Sequence, residues 1–256
     1  MNYFQSLTLA QTLASMKLKS EASRLVLSYL WWVIEPMLFV AMFYFVFEVL
    51  LGSGRGDFIV FLMVGKIPFL WFIKTINSSA NALISGKGIM GQRDFPKHIF
   101  PYVVVEENTQ KQMVVFLFMV IALIAKGYEP SFHWLYFLLI VAVNFLLMLP
   151  LAMLAALVVV YVRDLRMVIS LATTFLMFSS GLFWDVRSLE AGAQHLLLTY
   201  NPMAFLLDAY RQVLMFSAVP DIAHLGWILL GSLVALFFMH FLYSVQSKFI
   251  ARKVLS

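Results

Sequence analysis

The stretch FHWLYFLLIVAVNFLLMLPLAMLAALVVVY, residues 132–161, decides the fold class of this chain. It carries no Asp, Glu, Lys or Arg and contains a single proline, Pro150. A helix needs roughly 20 apolar residues to cross the bilayer core, whereas a strand needs about 9 to 11 residues of alternating polarity. Because this apolar run is continuous, we expect a membrane-spanning helix with a kink at Pro150.

The composition of the whole chain agrees with that stretch. Of the 256 residues, 62% are hydrophobic and only 12% are charged, about half the charged fraction of a typical soluble domain. We therefore predict an all-α polytopic membrane protein. The absence of cysteine excludes structural disulfides and thiolate metal sites. No short apolar core ends in a small-residue cleavage site near the N-terminus, so we expect no removable signal peptide.

The apolar runs predict six membrane spans within a single domain, 1–256. They lie at residues 30–51, 57–77, 102–125, 132–161, 167–184 and 222–243. Only a glycine-rich turn separates the first two, which predicts an antiparallel pair.

The positive charges predict which side of the membrane each terminus occupies. Six spans place both termini on one side, and most of the 18 Lys and Arg residues fall in segments on that side. The opposite side holds only Arg55, Lys126, Arg187 and Arg211. By the positive-inside rule, the N- and C-termini are cytoplasmic. The basic residues are scattered between spans, so the net charge of +5 does not indicate nucleic-acid binding.

Residues 1–28 precede the first span and have a modest amphipathic pattern. The stretch LTLAQTLASMKLK places Leu9, Leu13 and Met16 on one helical face. We expect an interfacial helix on the cytoplasmic surface; the alternative is a disordered polar tail.

A basic segment, GQRDFPKHIF, lies at residues 91–100 between the second and third spans. Glycines and prolines bracket it, and it carries Arg93, Asp94, Lys97 and a Phe95 that we expect to be exposed. Such charges and an aromatic anchor are suited to docking a soluble partner. The alternative is a solvated loop whose basic residues only fix topology.

Residues 185–221 form the largest segment between spans, and this segment is also apolar. Its core, HLLLTYNPMAFLLDAYRQVLM, contains two helix-like pieces broken at Asn201 and Pro202, each too short to cross a bilayer. We expect a re-entrant or interfacial helical hairpin on the periplasmic face, forming a lid. Helical spacing places Asp208 and Arg211 on one face of its second piece.

The sequence has no sign of catalytic or nucleotide-binding chemistry. It contains neither G-x-S-x-G nor H-E-x-x-H, and the five histidines are scattered. Neither Gly-Lys pair belongs to a G-x-x-x-x-G-K-[ST] phosphate loop. We predict no catalytic, cofactor-binding or metal-binding residue in this chain. A membrane enzyme such as a lipid-phosphate transferase would need clustered carboxylates or histidines, and here they are dispersed.

Four stretches stand out by their order and spacing: LSYLWWVIEP (27–36), QRDFPKHIFP (92–101), YVRDL (161–165) and YNPM (200–203). Together they resemble the ABC-2 type permeases of bacterial polysaccharide exporters. The group moves O-antigen, teichoic acid and capsule chains, and the resemblance covers nearly the whole sequence.

The resemblance implies a homodimeric channel in the bacterial inner membrane, paired with two copies of a separate ATPase subunit that binds ATP and Mg²⁺. It implies that residues 86–100 couple to that ATPase and that residues 185–221 form a periplasmic gate. The implied coupling residues are Gln92, Arg93, Asp94, Phe95, Pro96 and Lys97. The implied gate residues are Asn201, Pro202, Asp208 and Arg211.

Polar residues within the spans are candidates for the transport path. Lys66 lies deep in the second span, where it attracts the diphosphate of a lipid-linked glycan or pairs with Glu48; we favour the pairing. A polar stripe at helical spacing lines an entrance or subunit interface, or is only the end of a span emerging into water; it consists of Lys74, Asn77, Ser78, Asn81 and Ser85. From its depth, we expect Glu35 to meet Lys74.

Aromatic rings at i, i+4 spacing on the first span suit the C–H faces of sugars, although lipid contact or core packing is the favoured interpretation. Together, the channel and substrate candidates are Phe39, Phe43, Phe47, Lys66, Lys74, Asn77 and Asn81.

The leading hypothesis is the transmembrane subunit of an ABC exporter that moves an undecaprenyl-diphosphate-linked, O-antigen-like polysaccharide outward. The alternatives are an ABC-2 permease for capsular polysaccharide and one for a lipid or a hydrophobic drug.

Overall fold

The structure is a computed structural model that describes residues 3–22, 28–50, 52, 57–90 and 95–255, and these contain helices and turns but no β-strand. The prediction of an all-α chain is therefore confirmed for the described residues. In chain order, the helices are α1 (Tyr3–Ala22), α2 (Ser28–Tyr44), α3 (Phe58–Ser79), α4 (Ala82–Ser85), α5 (Lys87–Met90), α6 (Ile99–Ala125), α7 (Leu135–Tyr161), α8 (Leu165–Ser179), α9 (Ala191–Tyr200), α10 (Pro202–Met215) and α11 (Ile222–Leu255).

Four helical segments of the described chain are long and apolar enough to cross a membrane. They are α3, α6, the segment Phe132–Tyr161 that contains α7, and α11. The protein is thus a polytopic membrane protein. Helices α2 and α8 have 17 and 15 residues, which corresponds to about 26 and 22 Å at the helical rise. A π-helix, Phe45–Leu50, continues α2 and brings that helical segment closer to the thickness of a bilayer core.

Some helix boundaries differ from the predicted spans. Helix α6 begins at Ile99 rather than Tyr102. Helix α8 ends at Ser179 rather than near 184, because the chain turns at Gly181, whose φ of +68° suits glycine. Helix α11 continues past residue 243 to Leu255, so the basic end of the chain is helical.

Helix α7 lies at the centre of the bundle, packed against α3, α6, α10 and α11. Ala152, Ala155 and Ala156 are buried on it, and such small side chains let neighbouring helices approach closely. The hydroxyl of Tyr243 on α11 donates a hydrogen bond to the Met153 carbonyl at 2.8 Å. These contacts bring together helices that are distant in sequence.

Helix α1 packs along α6 through a face that differs from the apolar face of the sequence pattern. The buried residues are Ala10, Ala14 and Leu18, each four positions apart. Leu9 and Leu13 are half-buried at the edge of this contact, and Met16 is 62% exposed. Met16 therefore lies away from the contact with α6, where tertiary packing selects the face with two alanines.

The bundle has two ends that matter for function. The hairpin end comprises the first turns of α3, the turn after α8, and α9 with α10. The loop end comprises the last turns of α3, then α4, α5 and the start of α6. At the loop end, the ring of Phe100 lies directly against Gly86 and leaves no space for a Cβ atom there.

Candidate functional site

The hairpin breaks at Asn201 and Pro202, as the sequence predicts. The Asn201 Oδ1 atom accepts hydrogen bonds from the backbone N–H groups of Met203 and Ala204, both at 3.1 Å. Pro202 occupies the first position of α10, where its missing N–H costs nothing. The Asn201 amide also donates to the Ser179 carbonyl and the Ser180 hydroxyl. A single side chain therefore caps α10 and ties it to the end of α8.

Arg211 is the most deeply buried charged group of the hairpin, at 3% exposure. Its guanidinium donates to the carbonyls of Gly181 at 2.7 Å and Leu182 at 3.0 Å. It also lies 3.5 Å from the centroid of the Phe61 ring and donates to the Phe61 carbonyl at 3.4 Å. Burying a charge is costly unless hydrogen bonds satisfy it. Arg211 meets this condition by linking α10 to α3 and to the turn after α8.

Two glycines lie beside this contact, and one of them makes room for it. A Cβ atom on Gly65 would lie 2.6 Å from Nη2 of Arg211 and 3.2 Å from Cδ1 of Leu182. Gly181 has a positive φ, and a Cβ atom there would collide with the Val186 side chain. The guanidinium therefore occupies space that only glycine leaves open on α3.

Asp208 lies one turn before Arg211 but contacts a different arginine. Its carboxylate accepts two hydrogen bonds from Arg187, from Nε at 2.9 Å and from Nη2 at 3.1 Å. The Gln212 amide donates to the same carboxylate. Arg187 belongs to the short 3₁₀ turn before α9. Its own hydrogen bonds to the Asp208 carboxylate raise the pKa of Arg187 above its ordinary value. We call Arg187, Asn201, Asp208, Arg211 and Gln212 the hairpin cluster.

Most of α10 belongs to the protein core. Residues 203–214 are all buried, and α10 packs against both α3 and α7. The residues of α9, in contrast, are exposed or half-buried. Of the two expected alternatives, the burial of α10 favours a re-entrant helix over an interfacial one, since its apolar residues fill the centre of the bundle at the hairpin end.

At the loop end, the structure describes only part of the predicted coupling residues. Gln92, Arg93 and Asp94 lie outside the described residues. Phe95, expected to be exposed, is half-buried against the core together with Pro96. Lys97 is 3% exposed, and its Nζ donates to the Phe95 carbonyl at 2.9 Å. The second half of the segment is thus anchored to the bundle.

A histidine pair adds to this anchoring. The ring of His98 stacks on that of His240 from α11, with centroids 4.9 Å apart. The Tyr102 hydroxyl lies 3.1 Å from Nε2 of His240. Burial, with a smaller contribution from His240, lowers the pKa of His98 to about 4. The His98 ring is therefore neutral at neutral pH and packs as an aromatic group.

The polar stripe of α3 connects this helix to two neighbours. Lys74 forms an ion pair with Glu35 of α2, which confirms the expected contact. The Asn77 amide donates to the Thr173 hydroxyl of α8 at 3.1 Å. Asn81 is half-buried in the turn after α3. Two residues of the stripe, Lys74 and Asn77, thus make contacts within the chain.

Lys66 does not face an open path. It is 4% exposed, its Nζ lies 3.3 Å from Sδ of Met177, and the Phe183 ring centroid is 6.0 Å away. The position makes Lys66 a poor receptor for a diphosphate. Its expected partner Glu48, and the rings of Phe39, Phe43 and Phe47, have side chains outside the described part of the structure.

Comparison with known protein families identifies the family of this chain. The model of the ABC-2 type transporter family matches residues 10–215. The chain belongs to that family. The matched range includes both the segment 86–100 and the hairpin cluster. Membership implies that the transporter works with an ABC ATPase and confirms the resemblance read from the sequence.

Two curated relatives match this transporter over about four fifths of both chains, at modest identity. One from Myxococcus xanthus, an O-antigen export system permease protein RfbA, is 25% identical over 211 residues, covering 82% of this chain and 81% of the relative. An O-antigen export system permease protein RfbA from Klebsiella pneumoniae is 23% identical over 220 residues, covering 84% and 82%.

Sequence reasoning missed several residues that complete the site. Arg187 was counted only as an outer positive charge, and Gly65 was not singled out. A glycine on one helix and an arginine 146 positions later carry no joint signal in a single sequence. Only their contact in space shows that each depends on the other.

Proposed function

We propose that this chain is the permease subunit of an ATP-driven exporter that moves a lipid-linked polysaccharide from the cytoplasm to the periplasm. The observation that carries the proposal is the family match, which spans both the segment 86–100 and the hairpin. The names of the relatives in two bacteria support O-antigen as the type of glycan.

The proposed assembly has two copies of this chain and two copies of an ATPase subunit, which binds ATP and Mg²⁺. In it, six spans cross the inner membrane and both termini are cytoplasmic. The spans 30–51 and 167–184 would be completed by α2 with its π-helix and by α8 with the turn that follows. The substrate is anchored on undecaprenyl diphosphate.

Helix α3 is the proposed mechanical link between the two ends. Its 22 residues correspond to about 33 Å at the helical rise. Its first turns contact Arg211, and its last turn leads into the coupling segment. A displacement of segment 86–100 by the ATPase would therefore reach the hairpin cluster through one helix. Opening the hairpin end would require Arg211 to leave the Gly181 and Leu182 carbonyls.

Deleting the gene and restoring it in the host bacterium tests the substrate. We expect lipid-linked glycan to accumulate inside the cell without the permease and to be exported again with it. Unchanged glycans combined with new sensitivity to hydrophobic drugs would overturn this proposal in favour of a drug or lipid exporter. Loss of capsule alone would replace O-antigen by capsular polysaccharide.

The orientation is testable with single cysteines, because the natural chain has none. A membrane-impermeant maleimide should label Lys126→Cys in spheroplasts, since Lys126 follows α6 on the predicted outer side. It should label Lys248→Cys, which lies near the end of α11, only after the cells are opened. The reverse pattern would place both termini outside.

A further inference from the structure

A cleft between α2, α3 and α6 has a polar part and an apolar part. The polar pocket, about 60 Å³, is lined on its polar side by Trp32, Glu35, Lys74, Asn108, Lys111 and Gln112. The apolar groove, about 390 Å³, has Met37, Met63, Phe118, Met119 and Ala122 among its lining residues. Ile67 and Val115 line both parts. The pocket and the groove are therefore adjacent along α3 and α6, and together they form the amphipathic cleft.

The polar pocket lies in a group of charges contributed by four helices. Lys74 pairs with Glu35, and the Lys111 Nζ lies 2.8 Å from Oε1 of Glu107. Lys17 of α1 reaches the same Glu107 at 4.0 Å. Three lysines thus face two glutamates, which leaves one positive charge. The side chains of Lys74 and Glu35 are 42% and 46% exposed, so a ligand can reach them.

The pocket also offers groups suited to a membrane interface. Lys111 lies over the Trp32 ring at 5.8 Å. Trp71 lines the pocket, and its buried indole N–H has no hydrogen-bond acceptor among the described residues. Tryptophan is enriched where lipid headgroups meet the hydrocarbon region. This end of the cleft therefore matches a headgroup in both polarity and expected depth.

The groove continues from the pocket toward the hairpin end of α3, to Ile59 and Val60. Its volume is within the range of typical small-molecule sites. Met37, Met63 and Met119 contribute flexible, polarisable side chains, which adapt to a mobile hydrocarbon chain. A headgroup in the pocket would place a chain along this groove.

We propose that the cleft binds one glycerophospholipid with a single net negative charge, of the phosphatidylglycerol class. Its phosphodiester would lie between Lys74 and Lys111, and one acyl chain would fill the groove. The one unbalanced positive charge of the pocket matches one phosphodiester; the diphosphate of a glycan carrier would leave excess negative charge. Because α2 forms one wall, the bound lipid connects α2 to α3 and α6. The cytoplasmic-leaflet position rests on the proposed orientation.

Native mass spectrometry of the purified protein, with its co-purifying subunits, tests this proposal. The probes are phosphatidylglycerol and phosphatidylethanolamine of matched acyl chains, added at increasing concentration. We expect phosphatidylglycerol to bind about fivefold more tightly, and each of Lys74→Gln and Lys111→Gln to remove about that preference. Lys248→Gln, an exposed lysine on α11, is the matched control and should change nothing.

A second pair of variants tests the groove without touching the charges. Ala122→Phe fills the groove and should weaken the binding of both lipids equally. Ala41→Phe, at an exposed position of the same groove, should also weaken the binding of both lipids, with little risk to folding. Equal affinity for the two lipids would overturn the proposal. So would displacement of phosphatidylglycerol by equimolar polyprenyl diphosphate, which would make the cleft a substrate site.

Discussion

The hairpin end and the loop end of the bundle differ in how exposed their principal charged side chains are. At the hairpin end, Asp208 and Arg211 are 5% and 3% exposed, and their hydrogen bonds all run to groups of the same chain. At the loop end, the Lys74 and Glu35 side chains remain about half exposed. Asp208 and Arg211 are thus satisfied within the described chain, whereas Lys74 and Glu35 keep charged surface that a partner or a lipid can use.

This difference in exposure indicates which charged side chains stabilise the fold of the single chain and which are available for contacts with a partner. A buried guanidinium with defined acceptors holds three elements in one arrangement, because breaking it leaves polar groups unsatisfied. Half-exposed ion pairs hold their elements weakly. We therefore expect substitutions at the hairpin cluster to affect folding, and substitutions at the loop end to affect assembly.

The largest effect is expected for Arg211→Met. The variant leaves the Gly181 and Leu182 carbonyls buried without their donor, which we expect to destabilise the fold by about 2–4 kcal/mol. The measurement is the thermal unfolding midpoint of the purified protein in one detergent. Arg163→Met, at an exposed arginine after α7, is the control. Equal unfolding midpoints for the two variants would contradict the proposal that Arg211 stabilises the fold by connecting α10 to α3 and to the turn after α8.

Gly65→Ala should have the next largest effect. The added methyl group would displace the Arg211 guanidinium, which the carbonyls hold in place, at a cost of about 1–3 kcal/mol. In the control Gly231→Ala, on α11, the new Cβ atom meets no atom within 4 Å, so this change should be neutral or slightly stabilising. A Gly65→Ala variant as stable as Gly231→Ala would contradict the close contact.

Arg93→Glu tests the predicted role of the coupling segment 86–100. Lys97 is left unchanged because it is buried. If Arg93 steers the ATPase, reversing its charge should reduce the co-purified ATPase by about tenfold, while the permease stays in the membrane. Lys126→Glu, at an exposed lysine after the other end of α6, supplies the same charge reversal away from the segment. Equal loss of ATPase in both variants would indicate a general effect of charge.

The smallest effects are expected for the two ion pairs, compared by double-mutant cycles. We expect a coupling energy of about 1 kcal/mol for Arg187→Gln with Asp208→Asn, since the Asp208 carboxylate is buried and bidentate. For Lys74→Gln with Glu35→Gln, we expect about 0–0.5 kcal/mol because both side chains are half exposed. The readout is again the unfolding midpoint. A reversed order would contradict the contrast between the ends.

The sequence by itself determined the class of the protein. Long apolar runs with few charges require helices in a bilayer, since no other unclosed structure satisfies the backbone there. The break at Asn201 and Pro202 was also predictable, because an asparagine cap followed by proline is a local signal that needs no distant partner. The contact between Glu35 and Lys74 followed from depth alone, since both lie at matching distances from the ends of neighbouring spans.

Only the tertiary structure decided which polar residues face a path and which support the fold. Lys66 and Arg211 both carry a charge within apolar sequence, yet packing buries Lys66 beside Met177 and directs Arg211 to carbonyls of another segment. Helix α1 buries Ala10 and Ala14 because α6 lies against them. Periodicity fixes which residues share a face. It does not fix what that face touches, because the contact depends on elements far away in the chain.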